Sequence, residues 1–310
     1  MGDAPRDLAT DAARTSTTRR RVGQVEHGVL RVRDDAVVVE EPLEIRLYPG
    51  DGSPYLAVSV TMRTPGHDFE LAAGFLFTEG VLQDRGQVYR INYCADRTLE
   101  QAQRYNIVNV FLRPGVPMDP ERLRRNFYTT SSCGVCGKAS IEAIQVRGLR
   151  PVAQDGFAVD GEVFAQVGDV LRRSQAIFER TGGLHAAGLF DPGGRLLAVR
   201  EDVGRHNAVD KLVGHAFLDG ALPLSTRLLM VSGRASFEIM QKAAAAGVPV
   251  VAAVSAPSSL ACDVARAFGM TLVGFVRGDR FCVYAGGHRI RQRGQPLSGI
   301  DQGGRRGGRP

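Results

Sequence analysis

The chain has 310 residues, of which 44% are hydrophobic and 23% charged, with 37 Gly and 15 Pro, a composition that fits one or two globular domains with a sizeable core. Its formal charge is +6, and the excess lies at the ends: seven Arg against four acids in residues 1–33, and six Arg against Asp301 in residues 289–310. The remaining 26 basic and 28 acidic residues leave the body slightly acidic, which argues against a nucleic-acid polymer as partner. No apolar run reaches the length of a membrane span, and the first 21 residues lack the apolar core of a secretory signal. Five cysteines are too few, and an odd number, for a disulfide scaffold, so a reducing cytoplasm is the expected compartment. Only Lys138, Lys211 and Lys242 are lysines, so any single Arg is weak evidence of a role.

Residues 1–21 have no apolar periodicity and are expected to form a disordered basic tail. Strands are expected over 28–32, 36–39 and 43–47, then over 55–62 after the turn at Pro49-Gly50-Asp51-Gly52. Helical spacing of Phe69, Ala72, Ala73 and Leu76, stopped by Gly80, predicts a helix over 68–78. Strands follow over 88–94 and 107–112. The break at Arg113-Pro-Gly-Val-Pro-Met-Asp-Pro120 separates a smaller, strand-rich α+β domain (residues 22–118) from a second domain (119–290). Late in that second domain, strands at 226–231, 248–253 and 271–276 alternate with helices at 236–246 and 258–268, closed by Gly247 and Gly269. This spacing predicts a largely parallel α/β sheet, followed by a strand at 281–284. Residues 291–310 are expected to be a disordered Gly/Arg tail.

Ligands of parallel sheets sit beyond the carboxyl ends of the strands. Those ends are Ser232-Gly-Arg234-Ala-Ser236, Ser255-Ala-Pro-Ser-Ser259 and 276–281, whose serines, glycines and arginines suit a phosphate group. Each also has a plainer reading, Ser236 as a helix cap and Arg277-Gly-Asp-Arg280 as a hairpin turn. The stretch Arg200-Glu-Asp-Val-Gly-Arg-His-Asn-Ala-Val-Asp-Lys211 collects Asp202, Arg205, His206, Asn207, Asp210 and Lys211, too many polar groups for an ordinary core, with Asp202 as the candidate helix cap. His185 follows Gly182 and Gly183, which point to a close backbone approach there. Cys133-Gly-Val-Cys136, with Lys138 nearby, is a thiol motif: two cysteines three apart can share a proton, and a neighbouring cation favours the thiolate. It is open to three readings, half of a zinc site completed by His185, a dithiol redox pair, or a cysteine that carries sulfur as a persulfide. Cys94, Cys262 and Cys282 lie among apolar neighbours and are expected to be small core residues. His185-Ala-Ala lacks the glutamate of a zinc deaminase, so deamination by that mechanism is not expected.

Glu41-Pro-Leu-Glu-Ile45, Phe69-Glu-Leu-Ala-Ala-Gly-Phe-Leu-Phe-Thr-Glu-Gly80, Cys133-Gly-Val-Cys136-Gly, His185-Ala-Ala, Glu201-Asp-Val-Gly-Arg-His206, Ser232-Gly-Arg-Ala-Ser-Phe-Glu238 and Thr271-Leu-Val-Gly-Phe275 occur in this order. Together they resemble the FdhD family, sulfur carriers (sulfurtransferases) needed to make active formate dehydrogenase, over residues 22 to 290. The resemblance implies a cytidine-deaminase-like α/β/α fold for the larger C-terminal domain and a homodimer. It also implies that Cys133 takes sulfur from a cysteine desulfurase as a persulfide, with Cys136 as a supporting thiol, and hands it to molybdenum in the bis(molybdopterin guanine dinucleotide) cofactor. The contact loop for that cofactor would be Val276, Arg277, Gly278, Asp279, Arg280 and Phe281, with His185, Arg205, His206, Ser232, Arg234 and Ser236 as further candidates. No permanent metal is implied.

Overall fold

The computed structural model describes residues 15–117, 151–152 and 156–297. The first stretch holds β1 (Thr17–Glu26), β2 (Val29–Val38), β3 (Glu41–Tyr48), β4 (Leu56–Arg63), α1 (Asp68–Thr78), β5 (Val88–Tyr93), α2 (Gln101–Tyr105) and β6 (Ile107–Leu112). The chain continues through β7 (Val159–Asp160), α3 (Gly161–Arg173), α4 (Ala176–Thr181), β8 (His185–Phe190), β9 (Leu196–Asp202) and α5 (Arg205–Leu218). Last come β10 (Leu228–Val231), α6 (Phe237–Ala245), β11 (Val250–Ala253), α7 (Ser259–Ala267), β12 (Thr271–Arg277), β13 (Arg280–Ala285), β14 (Ile290–Gln292) and β15 (Gln295–Pro296). The fold is mixed α/β with several sheets, and among the described residues no helix is long and apolar enough to cross a membrane.

The described residues group into two compact units. One holds 15–117 together with Gln175–Ala186 and Arg200–Leu222; the other holds 151–152, 156–174, Ala187–Val199 and 223–297. Segments 175–186 and 200–222, which the sequence reading assigned to the 119–290 domain, thus join the N-terminal strands. The reason is α5, whose Phe217 enters the same core as Leu43, Ile45 and Leu47 of β3 and Leu71, Ala72 and Leu76 of α1.

In the first unit β4-β3-β6-β5 form a sheet in which β3 and β6 run parallel and the other pairs antiparallel. Strand β3 buries every second residue, as a sheet covered on one face must. Arg63, at the end of β4, is wholly buried and grips Asp68, the first residue of α1, through Nε (3.0 Å) and Nη2 (2.8 Å). Tyr93 Oη donates to the same carboxylate at 3.1 Å. Helix α1 ends at Gly80, which takes the left-handed conformation (φ 75°) that lets the last carbonyls be satisfied. Helices α1 and α5 cross at Gly74 and Gly214, where a Cβ on either glycine would overlap a backbone carbonyl oxygen of the other helix, Asp210 or Glu70. Beside the crossing, Arg200 donates from two nitrogens to Glu70, and His67 Nδ1 (3.1 Å) and His215 Nδ1 (3.3 Å) face the same carboxylate.

Two expectations about the ends change. Residues 17–21 are not a tail but part of β1, and the strands expected at 28–32 and 36–39 are one continuous β2, paired antiparallel with β1. Their connection is His27-Gly28, both with positive φ (51° and 80°), the conformation of a tight two-residue hairpin turn. At the other end β14 and β15 carry order to Pro296, and Arg289 is buried, donating to the Gly269 carbonyl.

In the second unit the six-stranded sheet runs β13-β12-β11-β10-β8-β9, with β10, β11 and β12 parallel and β13 and β8 antiparallel to their neighbours. The expected strand–helix alternation is therefore present, with bounds shifted by a residue or two. Gly247 (φ 73°) and Gly269 (φ 63°) follow α6 and α7 as expected helix stops. A small sheet, β15-β14-β7, lies apart.

Gly74→Ala and Gly214→Ala should each destabilise by about 2 kcal/mol or more, since neither helix backbone can yield, and thermal melts of the single variants measure this. Burial pushes the Glu70 carboxyl up, but hydrogen bonds from Arg200 and His67 outweigh it and hold it at about 2. A carboxyl depressed in the folded state stabilises fully above its unfolded value and loses that contribution as pH falls from about 4.5 toward 2. The gap between wild-type and Glu70→Gln melting temperatures should accordingly be widest at neutral pH and shrink between pH 5 and 3.

Candidate functional site

The polar stretch 200–211 divides into an inside and an outside. Asp202, fully buried, accepts from the Thr64 N–H (3.1 Å), the Gly204 N–H (2.8 Å) and Asn207 Nδ2 (3.0 Å). Lys211, also buried, lies 2.7 Å from Asp202 Oδ2 and donates to the Thr64 carbonyl at 2.8 Å. Asn207 donates further to the Met62 carbonyl (2.8 Å), and Asp210 accepts from Thr78 Oγ1 (2.8 Å). Four of the six polar groups expected at a ligand are thus a satisfied internal network that ties α5 to β4 and α1. Such a network stabilises because every member is paired. Asp202 is not the helix cap: Gly204 holds that position, and Asp202 binds its N–H instead.

Arg205 and His206 remain, both half-buried in the first turn of α5, whose N-cap residue Gly204 supplies no side chain. The Nε of Arg205 is buried without a hydrogen-bond partner. His185, at the start of β8, is half-buried too. Burial, then the charges of Arg205 and His206, push its pKa below the ordinary histidine value, so it is neutral at pH 7 and can donate from one nitrogen and accept at the other. In this unit an orphaned guanidinium N–H and a neutral imidazole lie at the N-terminus of α5, an arrangement suited to an anion. The close approach expected at the glycines before His185 occurs within the chain itself. Gly182 ends α4 in the left-handed conformation (φ 67°), and Gly183 admits the side chain of Val38.

In the second unit the loops leaving β10 and β11 run side by side. Ser255 N–H donates to the Gly233 carbonyl (3.4 Å) and Ser258 N–H to the Ala235 carbonyl (3.0 Å). Ser258 caps α7, its Oγ accepting from Ala261 N–H at 3.2 Å, whereas Ser236 holds the same place on α6 without a side-chain cap bond. Ser232 and Ser236 are half-buried and Arg234 is exposed. Beside them, β12 leaves its ladder through an irregularity between Gly274 and Arg277. Arg277 pairs with Arg280 across the turn Gly278-Asp279, all four of them exposed. Val276 departs from the other candidates: it is buried, with its side chain next to Gly168 of α3. Phe281 is half-buried, its ring 4.9 Å from that of Phe164.

Phe275 was not anticipated. It has φ 54°, is 38% exposed, and its N–H donates to the Ser255 carbonyl at 3.2 Å. A bulky residue held in left-handed backbone with its ring in solvent is a strained position, and such positions gather at binding sites. Strand alternation carries no signal for it. The preceding Gly274 is required because a Cβ would press on Pro257 and Tyr284.

Cys133, Cys136 and Lys138 lie outside the described residues. Of the other cysteines, Cys94 and Cys262 are half-buried and Cys282 is exposed, so none is the fully buried core residue expected. Burial pushes the Cys262 thiol up, away from thiolate chemistry. Among the described residues no group of three or more His, Cys, Asp or Glu is placed to hold a metal ion.

Comparison with known proteins gives a consistent result. The model of the FdhD/NarQ family matches residues 38–291. The chain is 54% identical over 278 residues to the sulfur carrier protein FdhD of Streptomyces coelicolor, covering 89% of this chain and 96% of that protein. It is 51% identical over 279 residues to the protein of the same name from Mycobacterium tuberculosis, covering 89% and 99%. Among solved structures it is similar to a protein from Desulfotalea psychrophila described as a formate dehydrogenase accessory protein. The TM-score is 0.68 at 24% identity, over 89% of this chain and all of that one.

Removing Lys211 should leave Asp202 buried and uncompensated. Lys211→Ala is expected to cost about 3–5 kcal/mol in urea unfolding.

Proposed function

The chain belongs to the FdhD/NarQ family, and from that premise we propose that it is a sulfur carrier serving formate dehydrogenase, with Cys133 as the carrying residue. The observation that carries this reading is the match to relatives named sulfur carrier proteins at 45–54% identity over nearly their whole lengths. Cys133-Gly-Val-Cys136 lies inside the region that the family model covers.

In the first transfer the Cys133 thiolate attacks the outer, sulfane sulfur of a cysteine desulfurase persulfide. One S–S bond forms on Cys133 as the donor's S–S bond breaks, and the departing donor thiolate takes up the proton that Cys133 gave up, so no outside oxidant is needed. In the second transfer the terminal sulfur leaves Cys133, whose own sulfur keeps the bonding pair. The acceptor, molybdenum in bis(molybdopterin guanine dinucleotide), supplies as substrate the two electrons that make sulfide. Cys136 supports the thiolate through S–H···S⁻ sharing.

The dinucleotide's phosphates and guanine would be met by the chemistry described above. In the second unit these are the exposed Arg277, Arg280 and Arg234 with the Ser232 and Ser236 hydroxyls, the Gly278-Asp279 turn, Phe281 and the Val276 backbone. In the first unit, taken by itself, Arg205, His206 and neutral His185 are further candidates for an anion. The orphaned Arg205 N–H is the kind of donor a phosphate oxygen satisfies. The six-stranded sheet with its flanking helices is read as the cytidine-deaminase-like part, working in the cytoplasm as a sulfur-delivery scaffold rather than a deaminase.

The test is sulfur loading. Incubated with a cysteine desulfurase and ³⁵S-labelled cysteine, the wild-type protein should gain one reductant-labile sulfur atom, seen by intact-mass spectrometry as well. Cys133→Ala should gain essentially none and fail to activate formate dehydrogenase, while Cys136→Ala should load more slowly. Equal loading of Cys133→Ala and wild type would falsify the assignment.

A further inference from the structure

Strand β5 is an edge of the first unit's sheet, and its pairing with β6 breaks between Val88 and Arg90. A bulge re-aims side chains, and here the successive residues Tyr89 and Arg90 are both exposed. The register sets Arg90 against Phe111, and Phe111 against Tyr48. These three therefore share the face of the sheet opposite the core residues Ile91, Val110 and Leu47.

On that outer face arginines and rings alternate. Arg90 Cζ lies 4.7 Å from the centroid of Phe111, and Phe111 stacks on Tyr48 at 4.4 Å. Tyr48 sits 5.4 Å from Tyr55, and Arg46 Cζ lies over Tyr55 at 4.5 Å. Beside this row Arg113 Cζ lies 5.9 Å from the centroid of Tyr89. Only one of the three arginines is neutralised: Glu44 holds Arg46 bidentately at 2.8 and 2.9 Å. Among the described residues Arg90 and Arg113 pair with no carboxylate. Asp51, Asp84 and Asp96 on the adjoining loops accept instead from the N–H groups of Ser53, Gly86 and Thr98 (2.9, 2.6 and 2.9 Å).

Two exposed guanidiniums, each laid over a ring, are thus free to grip a carboxylate bidentately. Their spacing narrows the occupant. Arg113 follows Phe111 by two residues and its N–H still bonds the Gln87 carbonyl, so it lies roughly 7 Å along the strand from the level of Arg90. Alternate side chains of an extended peptide project to one side at that same spacing. Stacked nucleic-acid bases fit this face less well, because its own guanidiniums already cover Phe111, Tyr55 and Tyr89. The slightly acidic body points the same way.

We propose that this face docks an extended acidic segment of a partner protein. Carboxylates at alternate positions of the segment grip Arg90 and Arg113, and an apolar side chain rests on the row from Phe111 through Tyr48 to Tyr55. The inference stands on the sheet face alone and is independent of the sulfur-carrier reading.

Fluorescence anisotropy with the full chain and a short labelled peptide alternating glutamate with leucine tests it. Wild type should bind the peptide, less tightly as salt rises. Arg90→Gln and Arg113→Gln should each weaken binding about threefold, and the double variant about tenfold, as exposed charge pairs do. Both side chains are exposed, so neither change should unfold the chain. Arg173→Gln with Arg180→Gln removes the same charge from exposed positions elsewhere and should leave the affinity unchanged. The peptide with glutamine in place of glutamate, and oligothymidylate of equal length, should both bind far more weakly. No binding by wild type, undiminished binding by the double variant, or an equal loss in the Arg173 and Arg180 variant would overturn the proposal. So would a glutamine peptide or an oligothymidylate that binds as tightly as the acidic peptide.

Discussion

Helices α1 and α5 meet backbone to backbone because both lack a side chain at the crossing point. At that separation Thr78 reaches Asp210, and Arg200 reaches Glu70, across the same seam. The crossing also fixes the first turn of α5, and with it Arg205 and His206. Moving the helices apart by one methyl group would displace those two residues from His185 and break the carboxylate contacts that hold the seam on either side. Apolar packing supplies most of the stability of this unit, but the glycine contact sets the geometry that the polar groups then read.

Two kinds of polar residue follow from that geometry. Asp202, Asn207, Asp210 and Lys211 spend their hydrogen bonds internally and hold α5 against β4. Arg205 keeps a buried Nε–H without a partner, and burial, then the charges of Arg205 and His206, lower the pKa of half-buried His185. In the other unit Arg234, Arg277, Asp279 and Arg280 are exposed at the strand ends, Ser232 and Ser236 are half-buried, and the strain falls on Phe275. One unit thus presents a half-buried group at the N-terminus of α5 and the other an exposed, arginine-bearing edge.

The parallel strands β10, β11 and β12 and their helices were legible from local signals, short apolar runs, a serine at each helix start and a glycine after each helix end. Helix α1 was legible to the residue from its apolar spacing and the glycine after its end. The hairpin was not, because its strand residues are exposed and the run Arg31 to Asp35 hides the strand behind charge. The stretch 200–211 was read as a ligand site because polarity was taken for exposure. Its partners Met62, Thr64, Glu70 and Thr78 lie 130 to 147 residues away, beyond the reach of any local pattern. Left-handed backbone at Phe275 leaves no trace in hydrophobic periodicity. Cys282 was taken for core on its flanking residues, but β13 turns that side chain outward.

The separation of Gly74 from Gly214 also has a consequence in time. When a ribosome has made α1, the helix that must cross it is still about 130 residues from being synthesised. At roughly 5–20 residues per second this leaves the buried face of α1 without its partner for on the order of 10 seconds. During that interval Arg63 and Asp68 can already pair, since they are five residues apart. The glycine seam and the Asp202–Lys211 pair cannot form. The N-terminal unit, although it begins first, is therefore completed late, and the nascent chain carries an apolar helix face that chaperones can recognise until α5 emerges.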